Sequence, residues 1–214
     1  MKHQALFVLA GLALATSAQA ADLSVAVGAD YSDSGFQGTA SQRPLTNEGN
    51  SRWTGYIDFR HPILLLPNVN LQRSDFSTSA PGISHDLDVY DLTFYYRPFE
   101  LDLLSIDFGL DLRRYDGDFN GQGYTHDQAL AYLGAESSLP GTGLGVFGDA
   151  RYGAWNGEES HDWRLGVSYT LNPQDSLQLK LRGGYRNARF DYDEAGQAFN
   201  QRMDGWFMGA EIRY

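Results

Sequence analysis

The chain contains no cysteine, and after its first twenty residues it has no aliphatic run longer than Ile63-Leu64-Leu65-Leu66. The first absence excludes disulfides, thiolate catalysis and cysteine-held metal. The second excludes a helical membrane span, which needs about 20 apolar residues. Positive charge is scarce as well. Sixteen Lys and Arg stand against 27 Asp and Glu, and the net charge of −11 argues against a nucleic-acid partner. No G-x-S-x-G, phosphate loop or Cys/His metal spacing occurs, so no cofactor is implied and no enzyme is expected. What the chain has in quantity is glycine (24 residues) and aromatic side chains (14 %), the habit of β-rich proteins.

The opening "MKHQALFVLAGLALATSAQA" pairs a short basic start with an apolar run and an A-x-A cleavage pattern at Ala18-Gln19-Ala20. Residues 1–20 read as a secretory signal peptide, exported through the general secretory pathway, and residues 21–214 as one domain. Cleavage removes Lys2 and moves the net charge from −11 to −12.

That domain alternates. In "SIDFGLDLRRY" Ile106, Phe108, Leu110 and Leu112 interleave with Asp107, Asp111 and Arg113, and "DWRLGVSYTL", "SLQLKLRGGY" and "LSVAVGADY" repeat the pattern. Strands send successive side chains to opposite faces, so one face is apolar and the other charged. An apolar outside around a polar interior is the pattern of a transmembrane antiparallel up-and-down β-barrel. Ten strands are expected near 22–32, 51–61, 68–77, 86–97, 104–115, 127–137, 143–154, 161–171, 176–190 and 203–214, with eight as the alternative count. The parity is ambiguous around Arg73 and Leu130. This division puts all seven prolines in connections. It makes the periplasmic turns mostly short and the outer connections, near 33–50, 78–85, 116–126, 155–160 and 191–202, mostly longer. Tyr31, Trp53, Tyr152, Trp163, Tyr185 and Trp206 then mark an outer aromatic girdle, and Phe59, Tyr96, Tyr169 and Tyr214 a periplasmic one.

The final strand, with Trp206, Met208, Ala210, Ile212 and Tyr214 on its lipid side, is expected to pair with the first strand. It also resembles the C-terminal signal read by the barrel-assembly machinery. "FRHPILLLPNVNLQ", "LDVYDLTFYYRPFELDLLSIDFGLDLRRYDGDFNG" and "AYLGAESSLPGTGL" resemble segments of a family of proteobacterial outer-membrane β-barrel proteins labelled OMP_w_GlyGly, over most of the mature chain. The resemblance implies a barrel in the Gram-negative outer membrane; a monomer in contact with outer-membrane lipid and lipopolysaccharide is expected besides. It implies no activity and no catalytic residues.

Inward parity collects Asp58, Arg60, Asp107, Asp111, Arg113, Asp149, Arg151, Arg164, Lys180, Arg182, Glu211 and Arg213, joined by Asp30, Asp91, Glu136, Arg97 and Arg186. Acids and bases nearly balance. Charges in a narrow barrel must be paired, which favours an occluded, salt-bridged lumen in a structural or interaction protein. A porin-like channel for small solutes or ions is the alternative reading, and one sign of lining charge would favour it. Three [Ser/Thr]-His-Asp triplets, Ser84–Asp86, Thr125–Asp127 and Ser160–Asp162, make His85, His126 and His161 candidates for a metal site or a hydrolase base. Against this, neighbours on a strand face opposite ways, and His-Asp equally suits a hydrated rim. The acidic, glycine-containing "GGYRNARFDYDEAG" and "RRYDGDFNGQGY" do not keep calcium-loop spacing.

Overall fold

The computed structural model describes residues 23–40, 43–63, 65–80, 83–101, 103–155, 157–194 and 197–214; residues 1–20, read above as a signal peptide, lie outside them. The described chain is strand throughout its regular structure: β1 (Ser24–Ala40), β2 (Arg43–Arg60), β3 (Asn68–Asp75), β4 (Thr78–Ala80), β5 (Ile83–Glu100), β6 (Ser105–Phe119), β7 (Gln122–Ser138), β8 (Leu144–Trp155), β9 (Glu158–Thr170), β10 (Gln178–Glu194) and β11 (Gln197–Arg213). β3 and β4 are two stretches of one strand, interrupted at Phe76-Ser77, and both pair with β5. Each strand is antiparallel to its neighbours. β1 also pairs with β11, and β3 with β5, so the sheet closes as a ten-stranded barrel. The seam between first and last strands runs to the end of the barrel expected to face the periplasm, and named for it below, where Val25 and Tyr214 exchange backbone hydrogen bonds of 2.8 and 2.9 Å.

The outside is a lipid-facing surface. Leu110, Leu133, Leu165, Val167, Leu181, Met208 and Ile212 are all exposed. A closed sheet leaves no backbone group to meet hydrocarbon, so this apolar belt can sit in a bilayer without cost to hydrogen bonding. Tyr31 and Trp53 pack edge to face at 5.2 Å, and Trp163, Tyr185 and Trp206 form a chain at 6.0 and 5.3 Å. On the opposite wall, the outer boundary carries the exposed ion pairs Arg73–Asp88 (2.7 Å) and Arg114–Asp127 (2.7 Å). Arg73 therefore faces out, whereas Leu130 is fully buried inside.

The expected outer loops are a correction. The strands continue through most of them, and the outer reversals are as tight as Asn120-Gly121, both at positive φ, between β6 and β7. Asparagine and glycine tolerate that backbone, and the pair is a type I′ hairpin signal. Seventeen residues at ~3.3 Å each, tilted by about 40°, reach about 43 Å along the axis. The apolar belt of such barrels is only about 25 Å tall, so the sheet stands well clear of the membrane on its outer side. The periplasmic turns at 61–67, 101–104, 139–143 and 171–177 are the longer ones. Two prolines also lie within strands rather than connections: Pro44 in β2, and Pro98 in β5 at the register shift between Tyr96 and Phe99. The second position is a bulge, where no ladder donor is required. Pro81 lies outside the described residues.

Candidate functional site

The interior is layered along the axis. Nearest the periplasm, Arg60 pairs with Asp58 at 2.8 Å, Arg97 with Asp107 at 2.7 Å, and Arg213 with Glu211 at 3.0 Å, while Lys180 holds Glu136. Above them Asp149 receives Arg164 and Arg151 at 3.0 Å each, and Asp30 receives Arg182 at 3.1 Å and Arg164 at 3.5 Å. Tyr56 donates to Glu211 at 2.7 Å and lies under the Arg182 guanidinium, 5.0 Å from its ring centre. The next layer is more deeply buried. Arg113 and Asp91, both fully buried, meet at 2.6 Å, and Arg113 also reaches Asp162 at 2.9 Å. Arg186 grips the same Asp162 with two hydrogen bonds of 2.9 and 2.6 Å. Arg151 approaches Asp111 at 3.4 Å, and Thr93 donates to Asp111 at 2.5 Å.

All twelve residues assigned to the lumen network thus lie inside and make ion pairs with one another or with Asp30, Asp91, Glu136, Arg97 or Asp162. Asp162, which the sequence presents as part of the Ser160–Asp162 triplet, belongs to the same network. It shares parity with Arg164 two residues on, and that parity would have placed it in the lumen. Three inward tyrosines were also missed, Tyr56, Tyr95 and Tyr132, whose rings fill the space between charged layers. Gly28 and Gly117 show why glycine is needed beside such rings: a side chain at either position would collide with Tyr56 or Tyr124.

Above this buried charged layer the interior changes character. Phe36, Phe76, Leu87, Val89, Tyr115, Phe119, Tyr124, Ala188, Phe190, Tyr192, Phe199 and Met203 form one buried cluster inside the part of the barrel that stands outside the membrane. Tyr115 stacks on Tyr192 at 4.6 Å and Tyr124 on Phe199 at 4.8 Å. Arg186 caps Phe76 at 5.0 Å and Arg113 caps Phe190 at 5.3 Å, joining the aromatic layer to the charges beneath. Alternation continues past the girdle, but its sense inverts: polar groups face water outside, and rings fill the lumen.

The three histidines take different places. His85 is fully buried within the aromatic cluster, its Nε2 2.7 Å from the Tyr124 hydroxyl and its Nδ1 3.2 Å from the Gln201 amide nitrogen. Burial pushes its pKa down from 6.5 to about 4, against the nearby negative charge of Asp118. His126 lies near the outer rim, stacked on Tyr192 at 4.9 Å, between Glu158 at 3.0 Å and Glu194 at 3.1 Å. His161 takes the outward parity of Trp163, while its neighbour Asp162 points in. The three do not converge, and among the described residues no group of three or more His, Cys, Asp or Glu is arranged to hold a metal ion.

Beneath the charged layers the lumen opens. A vestibule of about 400 Å³ sits among the turns at 101–104, 139–143 and 171–177, and a narrower space of about 100 Å³ continues inward toward Asp149 and Arg182.

No family model matches the sequence, and no curated protein matches it. Among solved structures, the chain is similar to Neisserial surface protein A (15 % identical, TM-score 0.44), with 90 % of this chain and 97 % of that one covered. It is similar also to the outer membrane protease OmpT from Escherichia coli (9 % identical, TM-score 0.45, 90 % and 96 % covered). A third likeness is to Ail, the attachment invasion locus protein of Yersinia pestis, in complex with the heparin analogue sucrose octasulfate (12 % identical, TM-score 0.41, 90 % and 98 % covered). Likenesses at this level say nothing of activity.

Proposed function

We propose that this is an integral protein of the Gram-negative outer membrane with a structural or interaction role, carried by the rigid barrel section above the bilayer rather than by transport or catalysis. The observation that carries the reading is the double closure of the lumen, by the Arg113–Asp91–Asp162–Arg186 layer and then by the aromatic cluster. A pore needs a continuous wet path, and packed rings backed by paired charges argue against one. The outer section instead offers stable walls with acidic side chains such as Asp33, Asp116 and Glu159 turned to the medium. Export by the secretory route, insertion by the barrel-assembly machinery, a monomeric state and contact with lipopolysaccharide belong to the same reading.

Planar-bilayer recording tests it. The purified protein is expected to give no reproducible single-channel steps. Steps whose selectivity changes with Arg182→Glu would establish the second reading, a small-solute channel, which the open space on the periplasmic side favours.

A further inference from the structure

The periplasmic vestibule combines two features seldom found together at the end of a barrel. Its inner wall carries Arg60, Arg97, Lys180 and Arg213, and its lip carries leucines of the periplasmic turns. Asp58 and Glu211, which pair with Arg60 and Arg213, lie two residues deeper on the same strands, Asp107 faces Arg97, and among the described lining residues only Glu136, the partner of Lys180, is acidic. The Arg60–Asp58 and Arg213–Glu211 pairs are therefore oriented with their positive ends toward the open end of the barrel. The lip is apolar by composition: Leu101, Leu103 and Leu139 are more than half exposed, at 67, 52 and 55 %. Leucines bordering a polar cavity offer an apolar contact beside its charges.

We propose that this vestibule binds the anionic head of a single-chain amphiphile, a fatty carboxylate or an alkyl phosphate, with the chain laid along the leucine lip. The volume lies within the range of small-ligand pockets. Guanidinium groups are suited to both head groups, since their fork matches paired oxygens on carboxylate or phosphate. The closed lumen above makes the site blind, so the ligand enters and leaves on the periplasmic side. An anion without a chain would forgo the lip, and a chain without charge would forgo the cations.

The test is equilibrium binding of radiolabelled laurate to the full protein held in amphipol, free of detergent. Saturable, one-to-one binding is expected, displaced by dodecyl phosphate but not by dodecanol or acetate. Leu103→Glu places a negative charge on the lip without touching an ion pair and should weaken laurate at least tenfold. Arg213→Gln should do the same, and retention of the heat-modifiable gel band shows whether that variant is folded. If Arg213→Gln does not fold, Leu103→Glu alone decides. Displacement by dodecanol would reduce the site to an apolar cleft, and displacement by acetate to an anion hole. Either result overturns the proposal, as does laurate binding that is not saturable or is unchanged in folded Leu103→Glu.

Discussion

His85 shows how far a residue's meaning depends on its surroundings. In the sequence it stands beside Ser84 and Asp86 as one of three similar triplets, and that context suggests chemistry. In the fold it is a neutral ring in an aromatic stack, 5.7 Å from Phe199 and 6.1 Å from Tyr124, with no carboxylate on either nitrogen. Its pKa is held at about 4, whereas in the unfolded chain it is near 6.5. The folded state thus binds fewer protons than the unfolded state between those values. The stabilisation is complete above about pH 6.5 and is lost as pH falls toward 4, by at most about 1.4 kcal/mol per pH unit. Thermal unfolding of the aromatic section, followed by near-ultraviolet circular dichroism, should therefore weaken across that window. In His85→Asn, which cannot take up the proton, the slope should be shallower. An identical pH profile in the variant would show that His85 is not the group responsible.

At the scale of strands, alternation made most of the barrel legible, because a lipid-facing side and a charged side differ so plainly in sequence. It placed Asp107, Asp111 and Arg113 on β6 on the lumen side, and Leu110 and Leu112 outside. It failed past the girdle, where the outward face stops being apolar. Residues 116–126 read as an outer connection in the sequence, although Gly117 and Phe119 keep the inward period of Arg113 and Tyr115 and Asn120-Gly121 supplies the hairpin turn. The rule that the apolar face meets lipid holds only at membrane depth; above it the same strand follows the soluble rule of apolar inside. β9 shows what such a strand does energetically. Its Asp162 receives Arg113 from β6 and Arg186 from β10, tying distant walls through one buried carboxylate. Asp162→Asn should cost about 3–5 kcal/mol by leaving two buried guanidinium groups short of charge. Asp127→Asn removes the partner of Arg114 on the exposed face, where both side chains are more than half exposed, and should cost less than about 1 kcal/mol. Urea midpoints of the two variants in the same detergent measure the difference, and equal shifts would show that the inner layer is not the stronger tie.

For the whole molecule, the two interior seals are distinct in chemistry and stacked in space, so each can be removed without the other. Replacing Tyr192 and Phe199 with alanine takes two stacked rings, 5.2 Å apart, from the outer cluster. Each truncation should cost about 3–5 kcal/mol locally. The membrane section does not share those contacts: its stability rests on the closed ladder, the lipid-facing belt and the ion pairs below. The outer walls should therefore loosen while the barrel stays inserted. Trypsin is expected to cut the double variant at Arg189 and Arg202, both on the outward face of the β10–β11 hairpin, while the wild type resists and the remainder stays protected by lipid. Conductance should nevertheless remain absent, because the Arg113–Asp91–Asp162–Arg186 layer still fills the lumen beneath the missing rings. Reproducible current through the double variant would mean that this charged layer admits water and ions once its aromatic cover is gone. The aromatic cluster alone would then be the gate, and the occluded lumen a property of the outer section rather than of the barrel as a whole.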